Sequence, residues 1–357
     1  MRLEHFRNFE SLSLDLSPGF TILAGANAQG KTSLLEAVYW ISTTRMLRGN
    51  RDGEAIQEGR DSCQVDVELE AGTQISAHLA QGQRKKFSLN GMGLPRASDV
   101  LGRLPSTVIS MFDLEIVRGD PAQRRMFLDL ELSSLRPVYL KHLTIYKKSL
   151  EQRNALLKQA AERFVDDYAF ETYEEGLATS GAEIRRMRQE FIDCLNPLCD
   201  AHHFAIASQP EKCQLSICLK DSNETVDTLR ETFASTRNQD IHRGSTQIGP
   251  HRDDLAITID GKEAKTFGSQ GQQRTAVIAL KLATLEHSRN EIGESPMLLL
   301  DDMLSDLDPV RRARLCHVVS GLAQQAFLTC TEASAAGDEI ISRSEVLEVH
   351  NGTVRRA

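Results

Sequence analysis

The stretch "GANAQGKTS", residues 25 to 33, decides the fold of this chain. It satisfies the pattern G-x-x-x-x-G-K-[ST], in which glycines let backbone N–H groups face a phosphate. The residues before it, "FTILAG", are typical of a buried strand. Those after it, "KTSLLEAVYWIS", carry apolar residues at 34, 35, 38 and 41, the spacing of an amphipathic helix. Because the motif requires a strand before it and a helix after it, the flanks predict a phosphate loop in an α/β fold.

The chemistry of such a loop assigns a role to each polar residue. We expect Lys31 to bridge the β- and γ-phosphates of a nucleotide and the Thr32 hydroxyl to ligate Mg²⁺. The residues predicted to bind nucleotide here are Gly25, Ala26, Asn27, Ala28, Gln29, Gly30, Lys31, Thr32 and Ser33.

A second segment supplies acids that a phosphate loop needs. "MLLLDD", residues 297 to 302, reads as an apolar strand that ends in two carboxylates. We expect Asp301 to contact Mg²⁺ through water and Asp302 to orient or deprotonate the attacking water. The alternative is a buried strand capped by solvated acids.

A third segment, "TFGSQGQQR" at 266 to 274, runs into the apolar helix pattern "TAVIALKLATLEHS". It has two glycines and no obvious capping box. Exposed N–H groups at a helix N-terminus bind anions, so we expect this loop to grip a γ-phosphate.

Composition bounds the function classes. The 357 residues are 40% hydrophobic and 26% charged, as in an ordinary soluble protein, and no 18 apolar residues run together. We therefore expect a cytoplasmic protein with no signal peptide and no membrane span, and we expect its seven scattered cysteines to be reduced.

The net charge of −8 argues against a protein that coats nucleic acid by bulk electrostatics. Local basic groups, each either a solvated face or a DNA contact, are Arg45, Arg48, Arg51, Arg84, Lys85, Lys86, Arg124, Arg125, Arg185, Arg186 and Arg188.

One further cluster raises a metal alternative. Cys194, Cys199, His202 and His203 could supply four zinc ligands, but the spacing is loose and no second paired motif supports it. Ordinary helix residues are the favoured interpretation.

The order of patterns predicts a domain split by an insertion. Strand signals dominate residues 1–120, with an Asn-Gly hairpin in "SLNGMG"; charged helical segments dominate 121–240; strands return over 241–357, beginning with "LAITIDGK". We predict a head with a mixed sheet and an antiparallel β region, interrupted by a helical lobe.

The order of phosphate loop, Ser-x-Gly-Gln loop with its helix, acidic strand and "SDLD" (305–308) resembles that of the ABC ATPases. More specifically, the chain resembles the RecF family of DNA replication and repair proteins, related to SMC proteins. The stretches that carry this resemblance are "FRNF" at 6–9, "GANAQGKTSLLEAVY" at 25–39, "DLEIVRGDPAQRRMFLD" at 113–129 and "QIGPHRDDL" at 247–255.

The resemblance implies an ABC-type head, ATP and Mg²⁺ as cofactors, an ATP-dependent head-to-head homodimer, and weak DNA-stimulated ATPase activity. It also implies binding of duplex, gapped or single-stranded DNA, and work with RecO and RecR to load a recombinase at gaps. Carried over, Ser269, Gly271 and Gln272 form a signature that faces the partner's nucleotide, and "SDLD" meets the partner head.

Several residues depart from the family pattern, and others have two or more possible roles. Ala28 stands where the family usually has glycine, so a positive φ there would strain the loop. The ABC transporter pattern ends a late strand with a histidine, where "AFLTCTE" offers Thr329, Cys330 and Thr331, and no glutamine between 105 and 120 supplies a second Mg²⁺ ligand. "GPHRDD" lies near the nucleotide or the dimer face, or it only shapes a turn. Arg7 is a nucleotide contact or an exposed strand residue.

Two alternative functions also follow from the sequence. One is another ABC ATPase, such as a transporter subunit, which the missing histidine and the inserted lobe disfavour. The other is a nucleotide-dependent clamp in which hydrolysis serves only release.

Overall fold

A computed structural model describes residues 1–48, 51–207, 209, 211–218, 225–305 and 307–356. Over these residues the chain divides into two compact units. Unit 1 comprises Met1–Leu114, Leu198–Glu211 and Ser269–Ala357, and unit 2 comprises Glu115–Pro197 and Lys212–Gly268. None of the helices so described combines the length and the apolar character needed to cross a membrane.

The strands are, in chain order, β1 (Arg2–Phe6), β2 (Phe9–Ser13), β3 (Phe20–Ala24), β4 (Ser62–Glu68), β5 (Gln74–Ala80), β6 (Lys86–Leu89), β7 (Met92–Gly93), β8 (Ser106–Ser110), β9 (Cys213–Cys218), β10 (Asp254–Ile259), β11 (Lys262–Glu263), β12 (Met297–Asp301), β13 (Ala326–Cys330), β14 (Ser344–His350) and β15 (Thr353–Arg356).

The helices are α1 (Lys31–Thr43), α2 (Leu114–Arg118), α3 (Pro121–Leu135), α4 (Pro137–Ala160), α5 (Asp167–Ile206), α6 (Val226–Ser235), α7 (Arg237–Arg243), α8 (Ala264–Phe267), α9 (Gln270–Ile292), α10 (Pro309–Leu322) and α11 (Asp338–Ile341). Short 3-10 turns lie at Asp52–Ala55, Ala97–Val100, Met111–Asp113 and Ala333–Ala336.

The central sheet of unit 1 has the strand order β15-β14-β3-β13-β12-β8, and β14, β3, β13, β12 and β8 run parallel. A parallel sheet is covered on both faces, which explains why β3 is apolar apart from Thr21 and has every residue buried. Carboxyl ends of parallel strands meet at one edge. The chain after β3 and the acids that end β12 therefore emerge side by side.

Helix α1 lies between this sheet and a second, antiparallel sheet of order β2-β1-β4-β5-β6-β7. One buried core joins all three layers. Its members include Phe6, Val65 and Ile75 from the antiparallel sheet, Leu34, Val38 and Trp40 from α1, and Leu23, Leu299 and Phe327 from the central sheet. Burying each such side chain contributes roughly 1.5–3 kcal/mol, so this core holds the start of α1 against the sheet edge.

The opposite face of the central sheet packs on α9 and α10. Ile22, Leu300 and Leu328 alternate along their strands with residues of the first core, as a period of two requires. Their partners are Ile278 and Leu282 of α9 and Leu315 and Val319 of α10. The buried face of α9 fixes the position of its N-terminus within unit 1.

Unit 2 combines α3, α4, most of α5, α6, α7 and α8 with a three-stranded sheet of order β11-β10-β9. Its limits differ from the lobe of 121–240 expected from the sequence. The strand in "LAITIDGK", expected in the head, belongs to unit 2 because β10 pairs antiparallel with β9, with Asp254 opposite Cys218 and Ile259 opposite Cys213. The pairing partner, not the composition, decides where this strand lies.

Candidate functional site

The loop between β3 and α1 owes its shape to two glycines. Gly30 caps α1 with φ 115°, and a Cβ there would collide with the Asn8 side chain. Gly25 has φ 154°, and a Cβ there would meet the Val349 carbonyl oxygen. Only glycine combines these backbone angles with these close approaches. The loop therefore presents its backbone N–H groups at the N-terminus of α1, where a helix attracts anions.

Ala28 lies in the left-handed region, with φ 65°. The sequence predicted strain if this position needs a positive φ, and it does. A Cβ in this region costs roughly 1–2 kcal/mol relative to the right-handed one. The surrounding contacts of the loop must therefore hold Ala28 in place.

Those contacts come from both ends of the chain. The Gln29 carbonyl accepts hydrogen bonds from Asn8 Nδ2 at 3.0 Å and from the Gly352 N–H at 3.1 Å. The Gln29 side-chain oxygen accepts from the Asn351 N–H at 2.9 Å. Asn8, part of the "FRNF" stretch, was not predicted as a site residue, since its partner is a backbone atom distant in sequence.

Lys31 is buried and lies over the loop. Its Nζ donates to the carbonyl oxygens of Gly25 at 2.7 Å and Ala26 at 2.8 Å. An ammonium group has three donors, so a further one can point away from these carbonyls. These two carbonyls hold the charge of Lys31 at the loop.

A chain of hydrogen bonds links the loop to the acids that end β12. The Thr32 hydroxyl donates to Asp301 Oδ1 at 2.8 Å, and Thr329 Oγ1 donates to the same oxygen at 3.0 Å. The Asp302 N–H in turn donates to Thr329 Oγ1 at 2.8 Å. Thr329 therefore fixes the side chain of Asp301 and the backbone of Asp302.

The two acids differ in environment. Burial raises the pKa of Asp301 above its usual value; the bonds from Thr32 and Thr329 oppose this, and the charge of Asp302 adds to it. Asp302 has φ 52°, an unusual backbone angle for a residue that is not glycine, and it is partly exposed. Strained backbone held by its surroundings is common at functional sites.

Two arginines line the same cleft beside α1. Arg7 pairs with Glu36 at 2.8 Å, and the Glu36 side chain is fully buried. Arg48 Nη2 donates to Ser33 Oγ at 3.3 Å, and the Arg48 side chain is 39% exposed. The sequence analysis offered Arg7 as either a nucleotide contact or an exposed strand residue. It is neither exposed nor unpaired, and it lines the cleft.

The cleft that these groups enclose has a volume of about 900 Å³. A volume of this order suits a small-molecule ligand. Its lining residues are Arg7, Asn8, Asn27, Ala28, Gly30, Lys31, Thr32, Ser33, Arg48, Glu54, Ile56, Gln57, Glu58 and Asp302.

The loop before α9 is not among the residues that line this cleft. Ser269 caps α9: its Oγ accepts from the Gln272 N–H at 3.2 Å, and Gln272 Oε1 accepts from the Ser269 N–H at 2.8 Å. This is a capping box, so the expectation that the helix has none was wrong; the S-x-x-Q spacing was the signal. Gln272 Nε2 also donates to Glu211 at 2.9 Å.

Gly271 follows in the first turn of α9. A Cβ at this position would collide with the Arg311 guanidinium. Within "SDLD", Ser305 Oγ donates to the Asp302 carbonyl at 2.8 Å, and Asp308 caps α10 by accepting from the Arg311 N–H at 3.0 Å. Asp306 lies outside the described residues.

"GPHRDD" holds unit 2 together. Asp253 pairs with Arg185 at 2.6 Å, and Asp254 pairs with Arg124 at 2.7 Å. His251 shares a hydrogen bond of 2.7 Å with the Tyr146 hydroxyl, and burial lowers the pKa of His251 to about 4. The acids and the histidine thus have partners inside unit 2.

The same contacts change the interpretation of the basic clusters. Arg124, Arg185 and Arg188 are buried, whereas both sequence interpretations placed them on the surface. Arg188 Nη2 donates to Asp129 at 2.8 Å. These side chains pair with acids within unit 2 and are not free to bind phosphates.

One of the four possible zinc ligands is bound to an acid. His202 Nε2 shares a hydrogen bond of 2.7 Å with Glu286. Within the part of the chain that the structure describes, no group of three or more His, Cys, Asp or Glu side chains is arranged to hold a metal ion.

Comparison with known proteins identifies the family. The model of the RecF/RecN/SMC N-terminal domain matches residues 1–353. The DNA replication and repair protein RecF of Symbiobacterium thermophilum is 39% identical over 343 residues, which cover 93% of this chain and 90% of that protein. The chain belongs to the RecF family.

Solved structures agree with this assignment. A structure described as "the recombination mediator protein RecF-ATP in RecFOR pathway" is 30% identical, covers 100% of this chain and 96% of that one, and has a TM-score of 0.90. The Smc head domain of Pyrococcus furiosus, 14% identical with a TM-score of 0.58 over 100% of this chain and 94% of that one, shares the fold alone. The predicted ABC-type head fold of a RecF family member is confirmed.

Proposed function

We propose that this RecF family chain is an ATP-dependent DNA-binding switch of recombinational repair and replication, with weak ATPase activity. One observation carries the proposal: the phosphate-loop residue Thr32 is hydrogen-bonded to the strand-end acid Asp301, at 2.8 Å. A hydroxyl and a carboxylate in contact at the end of a phosphate loop are the ligands by which ATPases of this class hold Mg²⁺. A structural relative is described with ATP, which also supports the proposal.

The residues fit ATP and Mg²⁺. Gly25 and Gly30 have positive φ and pack so closely on Val349 and Asn8 that a Cβ would collide, and a glycine-shaped loop of this kind is the cradle that backbone N–H groups form for a phosphate. Lys31, Arg7 and Arg48 add positive charge to the cleft. Thr32 and Asp301 would hold the metal, which neutralises charge on the phosphates when bound.

Asp302 is the residue we propose to orient or deprotonate the attacking water. It lines the cleft, and its backbone is fixed through Thr329. A carboxylate at this edge of the cleft can accept a proton from a water molecule. Lys31 would stabilise the charge that develops on the phosphates.

Ser269, Gly271 and Gln272 would contact the nucleotide of a second copy of the chain. They lie at the N-terminus of α9 and not on the cleft of their own chain, which is what a contact in trans requires. ATP would thus join two heads into a clamp on duplex, gapped or single-stranded DNA. We further propose a cytoplasmic location and RecO- and RecR-type mediators as partners; a relative's description places it in the RecFOR pathway.

Molar mass in solution, measured by light scattering with and without Mg-ATP, tests the switch. We expect Mg-ATP to double the mass of the wild type, and Ser269→Arg to bind ATP without doubling. Lys31→Ala serves as the control that should neither bind nor dimerise. A mass that stays constant while ATP binds would overturn dimerisation through the α9 loop.

A further inference from the structure

We propose that Glu36 is a positioning residue that fixes Arg48 at the nucleotide cleft. The inference rests on the proposed function, because it assumes that the cleft binds ATP. Arg48 lines the cleft together with Lys31 and Thr32. Glu36 does not line it, so any effect of Glu36 on the nucleotide passes through the groups that it holds.

Glu36 is a buried carboxylate in the second turn of α1, with no exposed side-chain surface. A carboxylate in such a place is costly unless cations and hydrogen bonds compensate its charge. Among the described residues, the groups that compensate this charge come from two arginines of the cleft. Its Oε2 accepts from Arg7 Nε at 2.8 Å, and its Oε1 accepts from Arg7 Nη2 at 2.9 Å. This two-point pairing fixes the plane of the Arg7 guanidinium.

Most hydrogen-bond donors of the Arg7 guanidinium are used in contacts within the protein. Beyond Glu36, its Nη1 donates to the Glu54 carbonyl at 2.7 Å and its Nη2 to the Arg48 carbonyl at 3.0 Å. Its guanidinium therefore connects Glu36 to the backbone of Arg48. Arg7 acts here chiefly as a brace.

Arg48 itself is held by its backbone and by one edge of its guanidinium. Its N–H donates to Glu36 Oε1 at 2.9 Å, and its Nη2 lies 3.5 Å from Glu36 Oε2. Its Nε is buried and has no hydrogen-bond partner among the described residues, whereas the side chain as a whole is 39% exposed. The exposed part of the Arg48 guanidinium can therefore donate to an anion, while the backbone of Arg48 is fixed by Glu36.

Arg48 lies outside any helix or strand, five residues after the end of α1 at Thr43. Its position thus depends on these contacts and not on a backbone ladder. Loss of the Glu36 charge would leave Arg48 free to sample other positions, and part of the nucleotide's binding energy would then go to ordering it.

A double-mutant cycle on Mg-ATP affinity tests the inference. Glu36→Gln keeps the shape of the side chain and removes its charge, and Arg48→Ala removes the proposed nucleotide contact. We expect each to weaken Mg-ATP binding about tenfold, and the double variant to bind no more weakly than Arg48→Ala alone. Asp240→Asn is the matched control, because Asp240 is an equally buried carboxylate paired with Arg153 at 2.8 Å in unit 2. It should lower the Tm without changing ATP affinity.

Additive losses, or normal ATP affinity in Glu36→Gln, would show that Glu36 only stabilises the fold. If Glu36→Gln does not fold, Arg7→Ala replaces it in the cycle, with the same expectation of no added loss over Arg48→Ala. Lys31→Ala separates the two proposals. If it binds ATP normally, the proposed function fails; if it does not bind while Glu36→Gln does, only the role of Glu36 fails.

Discussion

Thr32 and Asp301 stand 269 positions apart in the sequence and share a hydrogen bond of 2.8 Å. The bond closes the edge of the central sheet at which β3 and β12 end. It brings the predicted phosphate loop and the acidic end of β12, which lie far apart in the sequence, into one site.

Lys31→Ala should abolish ATP binding, because the loop's N–H groups alone do not supply the positive charge that the β- and γ-phosphates need. The measurement is a fluorescence titration with a nucleotide analogue. Undiminished affinity would contradict the phosphate-loop assignment.

Asp302→Asn should bind ATP normally and accumulate the ATP-bound dimer, since an amide cannot take a proton from the attacking water. Phosphate release and molar mass in Mg-ATP measure turnover and trapping together. A normal turnover rate would show that another group activates the water.

Mg²⁺-dependent ATP binding should weaken as the pH falls, beginning at a higher pH than an ordinary carboxyl would give. The pKa of Asp301 is raised, and its protonated form is a poor metal ligand. The same raised pKa means that the contribution of Asp301 to folding stability is fully present below the ordinary pKa and is lost as the pH rises through the raised one. Asp301→Asn should remove both dependences, and persistence of either would assign it to another group.

Ala28→Gly should stabilise the protein by about 0.5–1 kcal/mol, because relief of the left-handed strain exceeds the added entropy of the unfolded chain. Urea unfolding gives the free energy. Ala26→Gly is the matched control: Ala26 is not among the residues with positive φ, so glycine there should cost about 0.5–1 kcal/mol. Equal effects of the two changes would mean that φ at Ala28 stores no strain.

DNA affinity should fall linearly on a plot of log affinity against log salt concentration, if basic side chains clamp duplex phosphates. Fluorescence anisotropy over a salt series in Mg-ATP measures the slope. Arg185 and Arg188 do not contribute in this account, because both are buried in ion pairs. A flat response would remove phosphate clamping from the proposal.

Local patterns predicted the frame of the fold well. The strand before the predicted phosphate loop, the helix after the loop and the apolar acidic strand were confirmed as β3, α1 and β12, since each depends on adjacent residues. The Asn-Gly hairpin was confirmed too: Asn90 and Gly91 have φ values of 49° and 77°, as the tight turn demands.

Features that depend on distant partners were missed. Nothing near Glu36 indicates that it is buried between Arg7 and Arg48, and nothing near Asn8 indicates contact with Gly30. The buried arginines of unit 2 resembled surface clusters because charge patterning does not show which acids face them. The capping box at Ser269 is the exception, since its spacing was visible in the sequence.

The position of β3 has a consequence for biosynthesis. Its neighbours in the sheet are β13 and β14, whose paired residues run from Ala326 to Glu348. While the ribosome is still translating the helical insertion, β3 therefore lacks both hydrogen-bonding neighbours. A nascent chain should become able to bind nucleotide only near the end of its synthesis. A prematurely terminated product would therefore not bind nucleotide and would not form an inactive dimer with a complete chain.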